Sequence, residues 1–271
     1  MTSAGRNGAL LVVAAASMIS ILPAAAAESY ANWDTFDGAT QLDAKRWVGM
    51  ERTRQIESGA MRVIQRDLGN QSGNGGVLNS SWDSNLANPA AITQMRAAMT
   101  VDDFDVAPCG ANPTPSTVES RLVGLYFNAG PGLPTSVIND VGAKIRLVRY
   151  SNSADAAGVL RIEGVVFQCT VADCNSNDIV LGSTELGTAT LGETVTLKME
   201  WEPANNRFNF YRGSDPVKRV KYTANDSQAP YYPFRGVGTR TSLANCLSGN
   251  RAEGFISAKF DKVSVNKSAT P

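Results

Sequence analysis

Apolar and polar residues alternate with period two along most of this chain, and no segment sustains a helical period over three turns. The clearest case is Thr194–Glu202. There Val195, Leu197, Met199 and Trp201 share one face, while Thr196, Lys198, Glu200 and Glu202 share the other. Successive side chains of a strand point to opposite sides of a sheet, so such a segment offers one wall to a core and one to water. The chain therefore reads as all-β. Candidate strands fall at 33–37, 46–52, 55–57, 60–66, 76–82, 93–102, 121–128, 143–150, 159–169, 179–184, 194–202, 207–212, 217–223, 234–239 and 255–265, more than one sheet normally holds.

Two segments bracket this series. Asn32-Trp33-Asp34-Thr35-Phe36-Asp37-Gly38 opens it and the run from Gly254 to Val265 closes it, and both read as strands that lie side by side in one closed sandwich. Ahead of them, residues 1–27 have the form of a secretory signal peptide. Arg6 supplies a positive start, Leu10 to Leu22 is apolar but too short to span a bilayer, and Ala25-Ala26-Ala27 supplies small residues before Glu28. Residues 28–271 are expected to form a single β-sandwich domain. The 25 basic and 25 acidic side chains of the whole chain give no excess that would favour nucleic acid, and no later segment is apolar enough for membrane insertion.

Cys109, Cys169, Cys174 and Cys246 suit an oxidising compartment, periplasmic or extracellular. Three pairings are open. The favoured one joins Cys169 to Cys174 across a short hairpin loop and leaves Cys109 for Cys246. The chain contains no histidine, which removes Ser-His-Asp and Cys-His catalysis, His-ligated zinc and any Tyr/His proton-abstracting pair.

Inward positions are assigned to Ile145, Leu147, Leu160, Ile162, Val166, Phe208 and Phe210, leaving an outward set of Lys144, Arg146, Tyr150, Arg161, Glu163, Arg207, Asn209 and Tyr211. If their strands share one sheet, its open face is charged, hydrogen-bonding and punctuated by tyrosines. Such a face suits a polar cleft for saccharide hydroxyls with aromatic rings as stacking platforms, and an ordinary solvated sheet face has the same composition. Loop composition marks 67–76, 107–120 and 130–142, and Tyr231, Tyr232 and Phe234 beside Pro230 and Pro233 read as a loop folded over the sandwich edge.

The opening Trp33–Gly38 motif, the following Leu42-Asp43-Ala44-Lys45-Arg46-Trp47, the 197–201 to 208–211 hairpin and the closing strand together resemble the concanavalin A-like lectin/glucanase superfamily. The resemblance implies a jelly-roll sandwich of two antiparallel sheets, with a polysaccharide or glycan surface as partner. It also implies a structural calcium ion near the chain termini, with Asp261 as its matching ligand. The chain departs from the glucanase branch in one respect: the Glu-x-Asp-x-x-Glu pattern, which puts two catalytic carboxylates on one strand face, is missing. No catalytic residue is assigned. A secreted, non-catalytic carbohydrate-recognition module is the leading expectation. Behind it stand a divergent hydrolase or lyase on the same face, with Arg146 and Tyr150 or Arg161 and Tyr211 as its candidates, and a structural envelope or matrix protein.

Overall fold

The computed structural model describes residues 30–37, 46–48, 54–174 and 178–269. The expected signal segment and residues 42–45 of the second motif lie outside the described residues. Strands dominate, and they form two antiparallel sheets. In the first, the order is β13 (Lys218–Lys221), β12 (Arg207–Arg212), β11 (Thr194–Glu202), β6 (Gln94–Ala107), β15 (Glu253–Asn266), β4 (Ala60–Leu68) and β3 (Arg54–Glu57), with β1 (Tyr30–Asp34) added on β15. In the second it is β10 (Asp178–Thr190), β9 (Val159–Cys169), β8 (Asp140–Tyr150), β7 (Thr117–Asn128), β14 (Phe234–Ala244), β5 (Val77–Leu86) and β2 (Trp47–Val48). The chain changes sheet after β1, β2, β4, β5, β6, β10, β13 and β14, repeatedly crossing between the two layers of a jelly-roll sandwich.

The alternation places the core as expected. Leu197, Met199, Phe208 and Phe210 from the first sheet face Ile145, Leu147, Leu160, Ile162 and Val166 from the second, and all are buried. Each contributes about 1.5–3 kcal/mol of transfer free energy, so a one-residue slip that exposed a whole face would be heavily penalised. The two layers approach closely at Gly164, where a Cβ would lie 2.5 Å from the Phe210 ring. Trp201, at the end of its apolar face, is half-buried and donates Nε1–H to the Tyr222 hydroxyl at 2.8 Å.

The bracketing strands do meet: β1 runs antiparallel to β15, from Tyr30 opposite Asn266 to Asp34 opposite Val263. Ser58 and Gly59, with φ of 52° and 79°, form the two-residue turn between β3 and β4.

Two expectations need correction. The segment 107–120 is not loop throughout, because β7 starts at Thr117 and carries Glu119 and Ser120 inside the second sheet. The eight outward candidates also do not share a sheet: β8 and β9 belong to the second sheet, β11 and β12 to the first. Alternation tells which side of a strand is wet but not which layer the strand joins.

Both favoured disulfides form. Cys109–Cys246 spans 137 residues and is buried beside Leu243, Ala244 and Ala252, while Cys169–Cys174 closes a loop at the end of β9. The longer loop removes more chain entropy from the unfolded state. Replacing Cys109 and Cys246 with alanine should lower the unfolding free energy by about 2–5 kcal/mol, and by more than the same change at Cys169 and Cys174, as read from urea titrations.

Candidate functional site

The outer face of the second sheet is built by cross-strand neighbours. One row runs Asp83 on β5, Gly238 on β14, Arg121 on β7, Arg146 on β8, Glu163 on β9 and Glu185 on β10. The row beside it includes Asn85, Gly236, Val123, Lys144 and Val165. Gly236 and Gly238 leave the β14 floor without side chains, and a Cβ at Gly238 would lie 2.2 Å from the Trp82 carbonyl oxygen. Over this floor lies a cavity of 370 Å³, bounded by Asp83, Arg121, Lys144 and Arg240 among charged groups and by Phe167, Tyr232 and Phe234 among rings. The Cys169–Cys174 loop contributes Asp173 and Cys174 to its wall. A second cavity of 320 Å³ continues over Arg146, Tyr150, Glu163 and Glu185.

Between the two lies a network centred on Glu119, which is 1% exposed. Its carboxylate accepts from Arg121 Nη1 at 3.1 Å and from Arg146 Nη1, with Lys144 Nζ at 3.5 Å. Arg121 is held from its other side by Asp83, through Nε at 3.2 Å and Nη2 at 2.7 Å. Arg146 donates Nη2 to Glu163 Oε2 at 2.7 Å and to the Tyr150 hydroxyl at 2.9 Å, and that hydroxyl donates to Glu163 Oε2 at 3.0 Å.

These placements set the protonation states. Burial would raise the Glu119 carboxyl, but Lys144, Arg146, Arg121 and Arg240 outweigh it and hold the group well below its ordinary value. Burial pushes the Lys144 ammonium down to about 7; Glu119 opposes this, and Arg146, Arg240 and Arg121 add to it. Burial, with Glu163 adding to it, pushes the Tyr150 hydroxyl up to about 12, so it is a proton donor at neutral pH.

At the cavity rim the segment carrying Tyr231 and Tyr232 is strapped to the sheet. The buried Asp140 carboxylate accepts from Tyr231 N–H at 2.9 Å, Tyr232 N–H at 3.3 Å and Asn128 Nδ2 at 2.7 Å. Tyr232 is still 55% exposed, its ring standing at the cavity edge. The aromatic loop at 231–234 thus folds over the sandwich, as expected, and furnishes part of the cleft.

Of the eight candidates, Lys144, Arg146, Tyr150 and Glu163 come together here. Arg161, on the same face, pairs with Asp155 at 2.7 Å. Arg207, Asn209 and Tyr211 lie on the other sheet, where Arg207 and Asn209 donate to Glu202 and Tyr211 donates to Glu200 at 2.9 Å. The pairing of Arg161 with Tyr211 is therefore excluded, whereas that of Arg146 with Tyr150 is made. Sequence reasoning missed Glu119, Arg121, Asp83 and Arg240. Glu119 was hidden in the loop assignment, and the only signal was its i, i+2 relation to Arg121.

Asp261 lies where the closing strand bulges, and its Oδ1 accepts from Lys262 N–H at 2.6 Å. Among the described residues no group of three or more His, Cys, Asp or Glu side chains is placed to hold a metal ion.

No protein-family model matches the chain, and no curated protein matches it. Among solved structures it is similar to LamAcat from Zobellia galactanivorans (9% identity, TM-score 0.41, covering 84% of this chain and 95% of that one). It is also similar to the alginate lyase Aly36B (13%, 0.46, 90% and 99%) and to the winged bean acidic lectin complexed with methyl-α-D-galactose (14%, 0.37, 88% and 99%). Likenesses at this level assign neither a ligand nor an activity to this chain.

The network makes stability depend on Glu119. Glu119→Gln leaves Arg146, Arg121 and Lys144 facing a neutral amide, and should cost about 3–5 kcal/mol in urea unfolding at neutral pH. Since the folded value of Glu119 is depressed, its contribution is present above about 4.5 and disappears as pH falls through the folded value. Lys144 acts in another window. Between about 7 and 10.5 the native state holds fewer protons there than the unfolded chain, so stability should rise with pH in that range, and Lys144→Met should flatten the rise.

Proposed function

We propose that this protein is an exported glycan-recognition module that seats a polysaccharide chain along the outer face of its second sheet. The observation that carries this reading is the cleft itself. Two adjoining cavities combine ring faces from Phe167, Tyr232, Phe234 and Tyr150 with charged groups held rigid by one another. Saccharide sites need that pairing, because sugar rings present apolar faces for stacking and hydroxyl edges for hydrogen bonds. Ser81 and Asn85 add a hydroxyl and an amide to the residues that line the cleft wall. Export is supported by the form of residues 1–27 and by two disulfides. No helix among the described residues is long and apolar enough to cross a membrane.

The test is retention on a glycan array and on insoluble polysaccharides. Tyr232→Ala should weaken retention about tenfold, equivalent to about 1.4 kcal/mol of lost stacking, with the melting temperature little changed. Failure to retain the wild-type protein on any glycan would sink the reading.

A second reading, cleavage of the bound chain, is favoured by Lys144. With its ammonium pushed down to about 7, it is the group in the cleft suited to accept a proton at neutral pH, while the Tyr150 hydroxyl, able to donate one, lines the adjoining cavity. This arrangement suits elimination better than hydrolysis, since Glu119 is held ionised and makes a poor general acid. Incubation with acidic polysaccharides should then generate unsaturated sugar ends, lost on Lys144→Met; unchanged polymer size would refute it. A structural envelope or matrix protein would be expected to present a filled or flat face, and the cleft on the second sheet argues against that reading.

A further inference from the structure

We infer that the 370 Å³ cavity is a subsite for an acidic sugar, its carboxylate or sulfate seated against Lys144 with Arg121 and Arg240 around it. This rests on the glycan-recognition reading and names the chemistry of its ligand. The cavity is lined by three cations, Arg121, Lys144 and Arg240, against two acids, Asp83 and Asp173. Asp83 is committed to Arg121 through both oxygens. Below the cavity, Glu119 is enclosed by the cations it shares, with no exposed oxygen to offer a neutral ligand. Glu119 balances part of this charge from beneath the floor, so an anion entering the cavity meets the guanidinium and ammonium groups first, in a desolvated setting where it gains more than it would in water. The opposite wall differs: Ser81 and Asn85 on β5 line it with a hydroxyl and an amide, groups suited to a hydroxyl edge. One sugar ring spans the two, anion toward β8 and hydroxyls toward β5, with Phe167, Phe234 and Tyr232 against its faces.

The charge on Lys144 is the adjustable part. The groups around it are Arg146 on its own strand, Glu119 and Arg121 on β7, Arg240 on β14, Asp83 on β5, Glu163 on β9 and Asp173 on the disulfide loop; the Phe167 ring lies 5.9 Å from Nζ. Empty, the amine is half-protonated near pH 7. An incoming anion beside the amine favours its charged form, so binding draws a proton onto Nζ. A charged Lys144 is no longer a base, so the inference and the elimination reading make opposite demands on it.

The experiment is calorimetric titration of the full chain with three oligosaccharides of equal length: one bearing uronate carboxylates, one bearing sulfates and one neutral. For the anionic ligand that fits, affinity should be flat below about pH 7 and fall about tenfold per pH unit above it, with proton uptake visible as a dependence on buffer ionisation heat. The neutral chain should bind more weakly and without pH dependence. Whichever of the uronate and sulfate arms binds identifies the source of the anion. Lys144→Arg should keep anionic binding and lose the pH slope, and Lys144→Met should lose the preference for anions. The wild-type proton uptake stands as the test if either variant fails to fold. Neutral and acidic chains binding alike, without proton uptake, would overturn the acidic subsite and leave glycan recognition intact. If none of the three chains bound and the glycan surfaces also failed to retain the protein, glycan recognition itself would fall.

Discussion

The closing strand β15 organises the sandwich, because among the described strands it alone pairs with three others. It lies against β6 along one side, and against β4 and then β1 along the other. Ile256, Ala258 and Phe260 point inward from its first half. Unbroken alternation would next send Lys262 and Ser264 into the core. A bulge between Asp261 and Ser264, with Lys262 at φ 50°, resets the phase so that Val263 and Val265 join the hydrophobic core, while the buried Ser264 bonds to Asn32 of β1. β1 docks on the second half, past the bulge, with a register shift of its own between Asn32 and Asp34. One local backbone kink thus decides the inner face of the central strand, and beyond it the first strand closes the domain.

The charged cluster on the second sheet is not explained by stability. Burying Glu119, Arg121 and Lys144 takes ions out of water at a cost that their mutual attraction does little more than offset, and an apolar patch of the same volume would serve a folding chain as well or better. What the cluster does provide is rigidity and field. Arg146 is fixed by carboxylates on both neighbouring strands and Arg121 by Asp83 reaching across Gly238, so these cations are presented to the cleft in set positions with little entropy left to lose on binding.

Much of the fold was legible before any coordinates. The 194–202 and 207–212 hairpin, the inward set on β8 and β9, the meeting of the terminal strands and both disulfides follow from local alternation and turn chemistry. The assignment of strands to layers did not, since Arg146 and Tyr211 look alike in sequence and only long-range pairing puts them on different sheets. Glu119 was illegible for a related reason. On β7 the outward face reads Glu119, Arg121, Val123, Leu125, half charged and half apolar, and both faces of the strand are buried, so no clean alternation marks it as strand at its start.

The two outer faces show why composition alone misplaced part of the site. Both carry lysine, arginine, glutamate and tyrosine. On the first sheet the aromatic faces are taken by the protein's own cation: Lys198 Nζ lies 4.2 Å from the Tyr211 ring centre and 4.9 Å from that of Tyr30, while Glu200 accepts from Tyr211. On the second sheet, Gly236 and Gly238 remove side chains from the middle of the floor, and the Asp140 strap and the Cys169–Cys174 loop raise walls around it. A sheet face becomes a cleft through where bulk is absent and where loops are tied down. Those features reside in glycines and in a buried aspartate, not in the charged residues that first draw the eye.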